Sequence, residues 1–579
     1  MQNDLLSYSC EDGAFFLLDP LSLLFQVCTC SDIITAARNY CTSGKKMRRF
    51  QTTTAHEGPT ECVKKECLSE ASLFRVHPYG KLDASIDPCH DFFRFVCTND
   101  FLSSPIKSQP YRYQSVHYLI SQVMEYVTEN VDKNEYPTES AIAQTMMFVK
   151  NCTSAEDRKT TRHEDFTAAM KELGLEDFPF LTANHSTTPD VPAARLVHYY
   201  VFAFFGLRIV PDIRNGSLNS RLVNIYNIRI THNPKGATSK TDIPRAIFAA
   251  IEAAKSFIPK LSEFTEKAII DAVNFANKLG PESMKETGQR DLKELKVMNT
   301  TEAWSWEKFF NSAFQGVKTF YLDYDYLVVD NPDYFEYFIK LLSADSEQKN
   351  RALNYLGISA LIYLAPFLPE DLIKDADIDA SQFHTLPKVP QRFQACLRRS
   401  ELMCPPGVPS LITKVLSNSE NMVDIVDEHI WWVSLVKSVL TRQAGLVSWL
   451  NHEERKQAAR KIRNLSVSVI IPESMYRHGN NVSTADCQYT TPEILHLLHR
   501  ESPLTQFMTT VPQGAKASLR EIVTGERRNM LPVSSSFDFH VNYNPLENTM
   551  FIPASYFGLI FKTGNRDFRQ VSLMHERTV

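Results

Sequence analysis

The sequence predicts a mainly α-helical protein, and three observations carry that expectation. Glycine is scarce, at 19 residues in 579, while 36 Phe and 22 Tyr supply bulky packing groups. That balance favours packed helices over a glycine-rich β or dinucleotide-binding architecture. Three long stretches repeat apolar residues at three- and four-residue spacing, the stripe of an amphipathic helix, and only one segment, near residue 540, alternates as a half-buried strand does. A chain of this length exceeds one core and implies about two to four domains.

Taken in order, residues 1–50 carry an atypical N-terminal leader with no structural assignment. Its best apolar run, Ala14 to Val27, is interrupted by Asp19-Pro20 and preceded by acidic residues where a signal peptide is basic. Residues 51–61 are polar with Gly58-Pro59 and form a linker. Asp87-Pro88 starts a helix whose apolar face is Phe92, Phe93 and Val96. Val197 to Val210 and Ala360 to Leu368 are apolar runs too short to span a membrane, and are expected to be buried helix. Asp242 to Leu279 carries Ile243, Ile247, Ile251, Ala254, Phe257 and Ile258 on one stripe. Ser343 to Leu364 and Glu420 to Leu450 repeat the pattern. Phe537 to Tyr543 alternates strictly, a Pro-containing turn follows at Asn544 to Glu547, and Thr549 to Ile552 completes an expected hairpin.

Net charge is −5 and the pI about 6.4, so neither nucleic acid nor an anionic membrane is an expected partner. No apolar run reaches the roughly 20 residues of a membrane span. Of twelve Cys, Cys10, Cys28, Cys30, Cys41, Cys62, Cys67, Cys89 and Cys97 fall in the first hundred residues, and no C-x-x-C pair occurs. Six N-x-S/T sequons begin at Asn151, Asn184, Asn215, Asn299, Asn464 and Asn481; roughly three are expected by chance. Sequons and clustered Cys together point to an oxidising, secretory environment.

One pair of residues carries metal chemistry. In H-E-x-x-H on a helix, the two His lie one turn apart and reach one Zn²⁺, and the Glu polarises its bound water. His575-Glu576 begins such a motif, but the i+4 position is Val579, which has no lone pair. His56-Glu57, His163-Glu164 and His452-Glu453 also lack a His at i+4.

The segment Asp83-Ala-Ser-Ile-Asp-Pro-Cys-His-Asp-Phe-Phe-Arg-Phe-Val-Cys97 resembles the opening of the neprilysin-like (M13) zinc metallopeptidases. The resemblance continues through Ala141 to Cys152, Asn354-Tyr355-Leu356 with Pro366 to Pro369, and Arg392 to Cys396. Further along it takes in Trp449 to Arg455 with Ala458, Lys461 and Pro472, then Asn544-Pro545, Asn548 and Pro553-Ala554. It implies two domains: a helical domain at 125–415, and an incomplete thermolysin-like catalytic domain at 62–124 and 416–579 carrying a small β-hairpin.

The resemblance also implies site residues. His575 takes the position of the first zinc ligand and Glu576 that of the general base, with Val579 where the second ligand belongs and the third ligand expected to be absent. His540 and Val541 take the substrate-strand positions. Cys62 is implied to pair with Cys67, and Cys152 with Cys396. Cys89 and Cys97, whose family partners are C-terminal, are expected to be unpaired or mispaired. The expected function is that of a homologue of an extracellular zinc endopeptidase, with peptides as partners. The family's cofactor is zinc, and this chain is expected to bind none and to be inactive. The alternative is a secreted, non-catalytic protein that binds peptides or proteins. Localisation is expected to be extracellular, as a secreted protein or an ectodomain.

Overall fold

The computed structural model describes residues 111–557 apart from 134, 138–139, 155–162, 183–185, 213–219, 229–242, 281–289, 299, 369–389, 418–421, 471–501, 526–534, 538–540 and 545–547. It is mainly helical with two small mixed sheets. Contacts divide the chain into two compact units. One is Arg112–Trp431 with Ser466–Leu559; the other groups Trp432–Leu465 with residues 1–111 and 560–579.

In order, the first elements are helices α1 (Tyr111–Asn130), α2 (Ala141–Thr153), α3 (His163–Glu172) and α4 (Asp190–Val197), then strands β1 (Phe205–Pro211) and β2 (Arg221–Asn227). Helices α5 (Arg245–Ala254) and α6 (Glu266–Asn277), strand β3 (Arg290–Glu294), helix α7 (Trp306–Ala313) and strand β4 (Tyr326–Asp330) follow. Helices α8 (Pro332–Leu342), α9 (Ser346–Leu364), α10 (Gln391–Met403), α11 (Gly407–Ser417), α12 (Met422–Ala444) and α13 (His452–Arg463) lead to strand β5 (Ser466–Val469). Helices α14 (Pro503–Leu519) and α15 (Glu521–Thr524) and strands β6 (Asn542–Asn544) and β7 (Thr549–Ile552) complete the described chain.

Local chemistry starts many of these helices. Ser140, Thr265, Ser305, Asp345, Asn451 and Ser502 each cap a helix, their side chains accepting from a backbone N–H of the first turn. At α13 the cap is reciprocal: Glu454 N–H donates to Asn451 Oδ1, and Asn451 N–H donates to Glu454 Oε2.

One expected helix is divided and another is shortened. Asp242 to Leu279 becomes α5, a 3₁₀ turn at Pro259–Glu263, and α6. Pro259 has no N–H to continue the ladder, and Thr265 starts the chain again. Glu420 to Leu450 ends as α12 at Ala444, before Gly445, and Asn451 caps the next helix. Ser343 to Leu364 holds as α9.

The run Val197 to Val210 is corrected: helix α4 stops at Val197 and the run finishes as strand β1. Val201 N–H donates to Leu196 O and Tyr200 N–H to Val197 O, with Tyr200 at φ 59°, a left-handed closure that turns the chain out of the helix.

β1 pairs antiparallel with β2, β2 parallel with β4, and β3 antiparallel with β4, in the order β1-β2-β4-β3. Gly206 faces Tyr226 across the β1–β2 pair, and a Cβ there would come within 2.2 Å of the Tyr226 ring. Above the sheet, Phe205 meets the rings of Trp304, Trp306, Phe309, Phe335 and Phe338, all buried. This aromatic cluster ties the sheet to α7 and α8, and the edge-to-face geometries add to the burial of the rings.

In the other unit the described residues are the end of α12 and α13, packed through Leu440, Ala444 and Ile462. Lys437 Nζ donates to Leu465 O at 2.5 Å, which fixes the chain as it leaves α13.

Candidate functional site

The late hairpin is where sequence and structure meet. β6 and β7 pair antiparallel, and β7 pairs parallel with β5, in the order β5-β7-β6. The turn between β6 and β7 delivers Asn548 at φ 53°, a conformation Asn tolerates better than most residues, and Tyr543 Oη donates to Asn548 Oδ1 at 3.1 Å. β7 drives Phe551 and Ile552 into the core, followed by buried Ala554 and Ser555. β6 therefore stands at one end of the sheet among the described residues. Val541, immediately before it, is 40% exposed.

Helix α10 positions the approach to β6. Arg392, in its first turn, donates from one guanidinium nitrogen to the carbonyls of Pro366 and Leu368, each at 2.7 Å. Cys396 is bridged to Cys152 of α2, as the resemblance implies. Arg399 lies over the Tyr363 ring and donates to Tyr363 O at 3.1 Å. With the helix fixed at three points along its length, Glu401 on its last turn accepts from Ser535 Oγ at 2.7 Å and from Ser536 N–H at 3.0 Å. Those bonds, with Phe537 buried beside them, hold residues 535–537 against α10. Sequence reasoning missed Glu401, because its partners lie more than 130 residues away.

α14 packs against α10, and its interior Pro512 has no N–H to donate to the carbonyl of Met508. Tyr199, at the end of α4, donates its hydroxyl to that same carbonyl at 3.1 Å. Burial pushes the Tyr199 phenol well above its ordinary range. His198 next to it has its pKa lowered by burial, and its Nε2 lies 2.8 Å from Ala313 O. A carbonyl can only accept, so Nε2 carries a proton. Both buried titratable groups are used structurally.

Of the sequence-predicted zinc and substrate residues, Val541 is described. His540, His575, Glu576 and Val579 lie outside the described residues, as do Cys62, Cys67, Cys89 and Cys97 and the sequons at Asn184, Asn215, Asn299 and Asn481. Among the described residues no three His, Cys, Asp or Glu side chains converge as a metal site would need, so no zinc ligand set can be named from them. Cys404 is disulfide-bonded as well. Asn151 is half-buried on α2, whereas Asn464 is exposed. No described helix is long and apolar enough to cross a membrane.

Comparison with known proteins places this geometry. The model of peptidase family M13 matches residues 88–472. Neprilysin-2 of Caenorhabditis elegans is 19% identical over 535 residues, covering 86% of this chain and 68% of the relative. The crystal structure of the Mycobacterium tuberculosis zinc metalloprotease Zmp1 in complex with an inhibitor aligns with a TM-score of 0.54 at 14% identity, covering 83% of this chain and 70% of that one. PepO from Lactobacillus rhamnosis aligns with a TM-score of 0.52 at 14% identity, covering 78% and 69%.

Proposed function

The chain belongs to peptidase family M13, and we propose that it is an extracellular, peptide-recognising homologue of the neprilysin-like zinc metalloendopeptidases that does not itself hydrolyse peptides. The family match, which runs through most of the chain, carries this reading. M13 is a zinc-dependent family, and the residue four after His575 is Val579, which cannot ligate. Losing that His from the motif weakens zinc binding, and without the ion Glu576 has no acidified water to activate.

Peptide recognition rests on the hairpin. A peptide that adds as a strand binds main chain to main chain at the end of a sheet, with alternate side chains read by neighbouring groups. Among the described residues β6 is the last strand in the order β5-β7-β6. Val541 and His540 lead into it, and Glu401 fixes the segment upstream. His540 offers one ring nitrogen as donor where an amide side chain would offer both donor and acceptor. The secretory address is supported by the Cys152–Cys396 bridge, since such bonds persist in oxidising compartments.

A second reading follows from length, because the chain spans 68% of neprilysin-2. A product continuing beyond residue 579 would bring further ligands and would be the hydrolase of extracellular peptides. Long-read transcripts from the source tissue separate the two readings.

The direct test uses the purified full chain. Metal analysis after dialysis is expected to find no stoichiometric zinc. Peptides cleaved by a complete M13 peptidase are expected to stay intact, while fluorescence anisotropy registers their binding. One tight zinc per chain with chelator-sensitive hydrolysis refutes the non-catalytic assignment.

A further inference from the structure

We propose that Asn464 is an N-glycosylation site built into the end of helix α13. The proposal rests on the secretory reading above and adds to it a specific residue. Sequons are frequent by chance, so the sequence alone does not choose among six. The structure distinguishes the two that are described.

At Asn464-Leu465-Ser466 the helix has just ended. Asn464 has φ −85° and ψ 4°, and its N–H donates to Arg460 O at 2.9 Å. Leu465 is buried, its N–H donates to Ile462 O at 3.2 Å, and its carbonyl accepts from Lys437 Nζ at 2.5 Å. The backbone is thus held around the acceptor, while Asn464 and Ser466 are both exposed. The adjoining helical turn carries Arg460, Lys461 and Arg463, a polar surround for a sugar.

Asn151-Cys152-Thr153 is the contrasting case. All three lie inside α2, Asn151 is half-buried, and Cys152 is fully buried and bridged to Cys396. The Thr153 hydroxyl is committed to Val149 O at 2.7 Å. A glycan at Asn151 would have to be accommodated against packed structure, whereas one at Asn464 meets solvent.

The chemistry is transfer from a lipid-pyrophosphate-linked oligosaccharide. Asn464 Nδ2 forms a bond to the anomeric carbon, the bond from that carbon to the pyrophosphate oxygen breaks, the amide proton passes to a base of the transferase, and the lipid pyrophosphate leaves.

The test is expression of the full chain with its secretion signal supplied by a eukaryotic host vector. Total protein, retained and secreted, is then deglycosylated with an amidase in H₂¹⁸O and mapped by mass spectrometry. The expected result is an ¹⁸O-labelled aspartate at position 464. Asn464→Gln and Ser466→Ala are each expected to remove the same single glycan. An unmodified Asn464 in chains glycosylated at other sequons overturns this proposal alone. A chain without glycan at any sequon also overturns it, whereas the secretory reading fails separately if the same mapping finds Cys152 and Cys396 unbridged.

Discussion

Replacing Tyr199 by Phe tests whether a tyrosine completes the helix that Pro512 interrupts. In α14 the carbonyl of Met508 would normally accept from residue 512, but proline has no N–H, and the Tyr199 hydroxyl supplies the donor from α4 at 3.1 Å. Tyr199 is 2% exposed, so water does not readily replace it. Tyr199→Phe keeps the ring and its packing on Phe507 at 6.2 Å, and removes one hydrogen bond to a part-buried carbonyl. An unsatisfied buried acceptor costs about 1–3 kcal/mol; with part-burial about 1.5 kcal/mol is expected, or roughly tenfold in a local opening equilibrium. Hydrogen exchange followed by mass spectrometry on peptides covering 503–519 reads that equilibrium directly. The decisive control is the same change in a Pro512→Ala background. The alanine restores an N–H that donates to Met508 O, so the cost of Tyr199→Phe should shrink by about 1 kcal/mol. Equal effects in the two backgrounds, or unchanged exchange in the single variant, would refute the reasoning.

Three further outcomes are expected. Asp190 is buried and accepts from Thr188 Oγ1 at 2.6 Å, Val191 N–H at 2.9 Å and Ser305 N–H at 3.0 Å, so it starts α4 and steadies the start of α7; Asp190→Ala should cost about 3 kcal/mol, read from the urea midpoint at constant slope. His198 has a folded-state pKa below its ordinary 6.5, chiefly from burial, with Lys516 and Arg195 acting in the same direction and Ala313 O and Glu172 against it. The stability it contributes is present above that ordinary value and is lost as pH falls toward the depressed one, by up to about 1.4 kcal/mol per pH unit; His198→Gln, which keeps a donor for Ala313 O, should flatten the decline in a melting series. Removing the bridge in the Cys152→Ser, Cys396→Ser double variant frees a span of 244 residues and should lower stability by about 5.5 kcal/mol in the chain-entropy view, seen as reduced secretion and a lower Tm.

Much of the helical frame was legible in the residues themselves. Helix α9 follows its apolar stripe from the cap at Asp345, and Asn451 with Glu454 marks the start of α13. The hairpin follows from Asn544-Pro545 with Asn548, although β6 begins only at Asn542, at the end of the alternating stretch, and the Cys152–Cys396 pair is the one the family resemblance implies. In each case the deciding interaction spans a few residues or repeats a motif. That a Val stands four residues after His575 is likewise read from sequence alone.

The four-stranded sheet was decided by tertiary structure. β2 buries Leu222, Val223, Asn224 and Ile225 in succession, so no alternation betrays it. Asn224 reads as a strand breaker in sequence, yet its side chain donates to Val328 O on β4 at 3.0 Å and accepts from Arg208 on β1 at 2.6 Å. A buried polar side chain is tolerable only with such partners, and those partners come from strands up to 104 residues distant. The run into β1 is ambiguous for the same reason: continuous apolar residues suit a buried helix and a buried strand alike, and the choice falls to the aromatic cluster that receives Phe205. Glu401 and Tyr199 belong here too. Each satisfies backbone groups brought to it by packing, and no local pattern in a sequence records which distant carbonyl or amide lacks a partner.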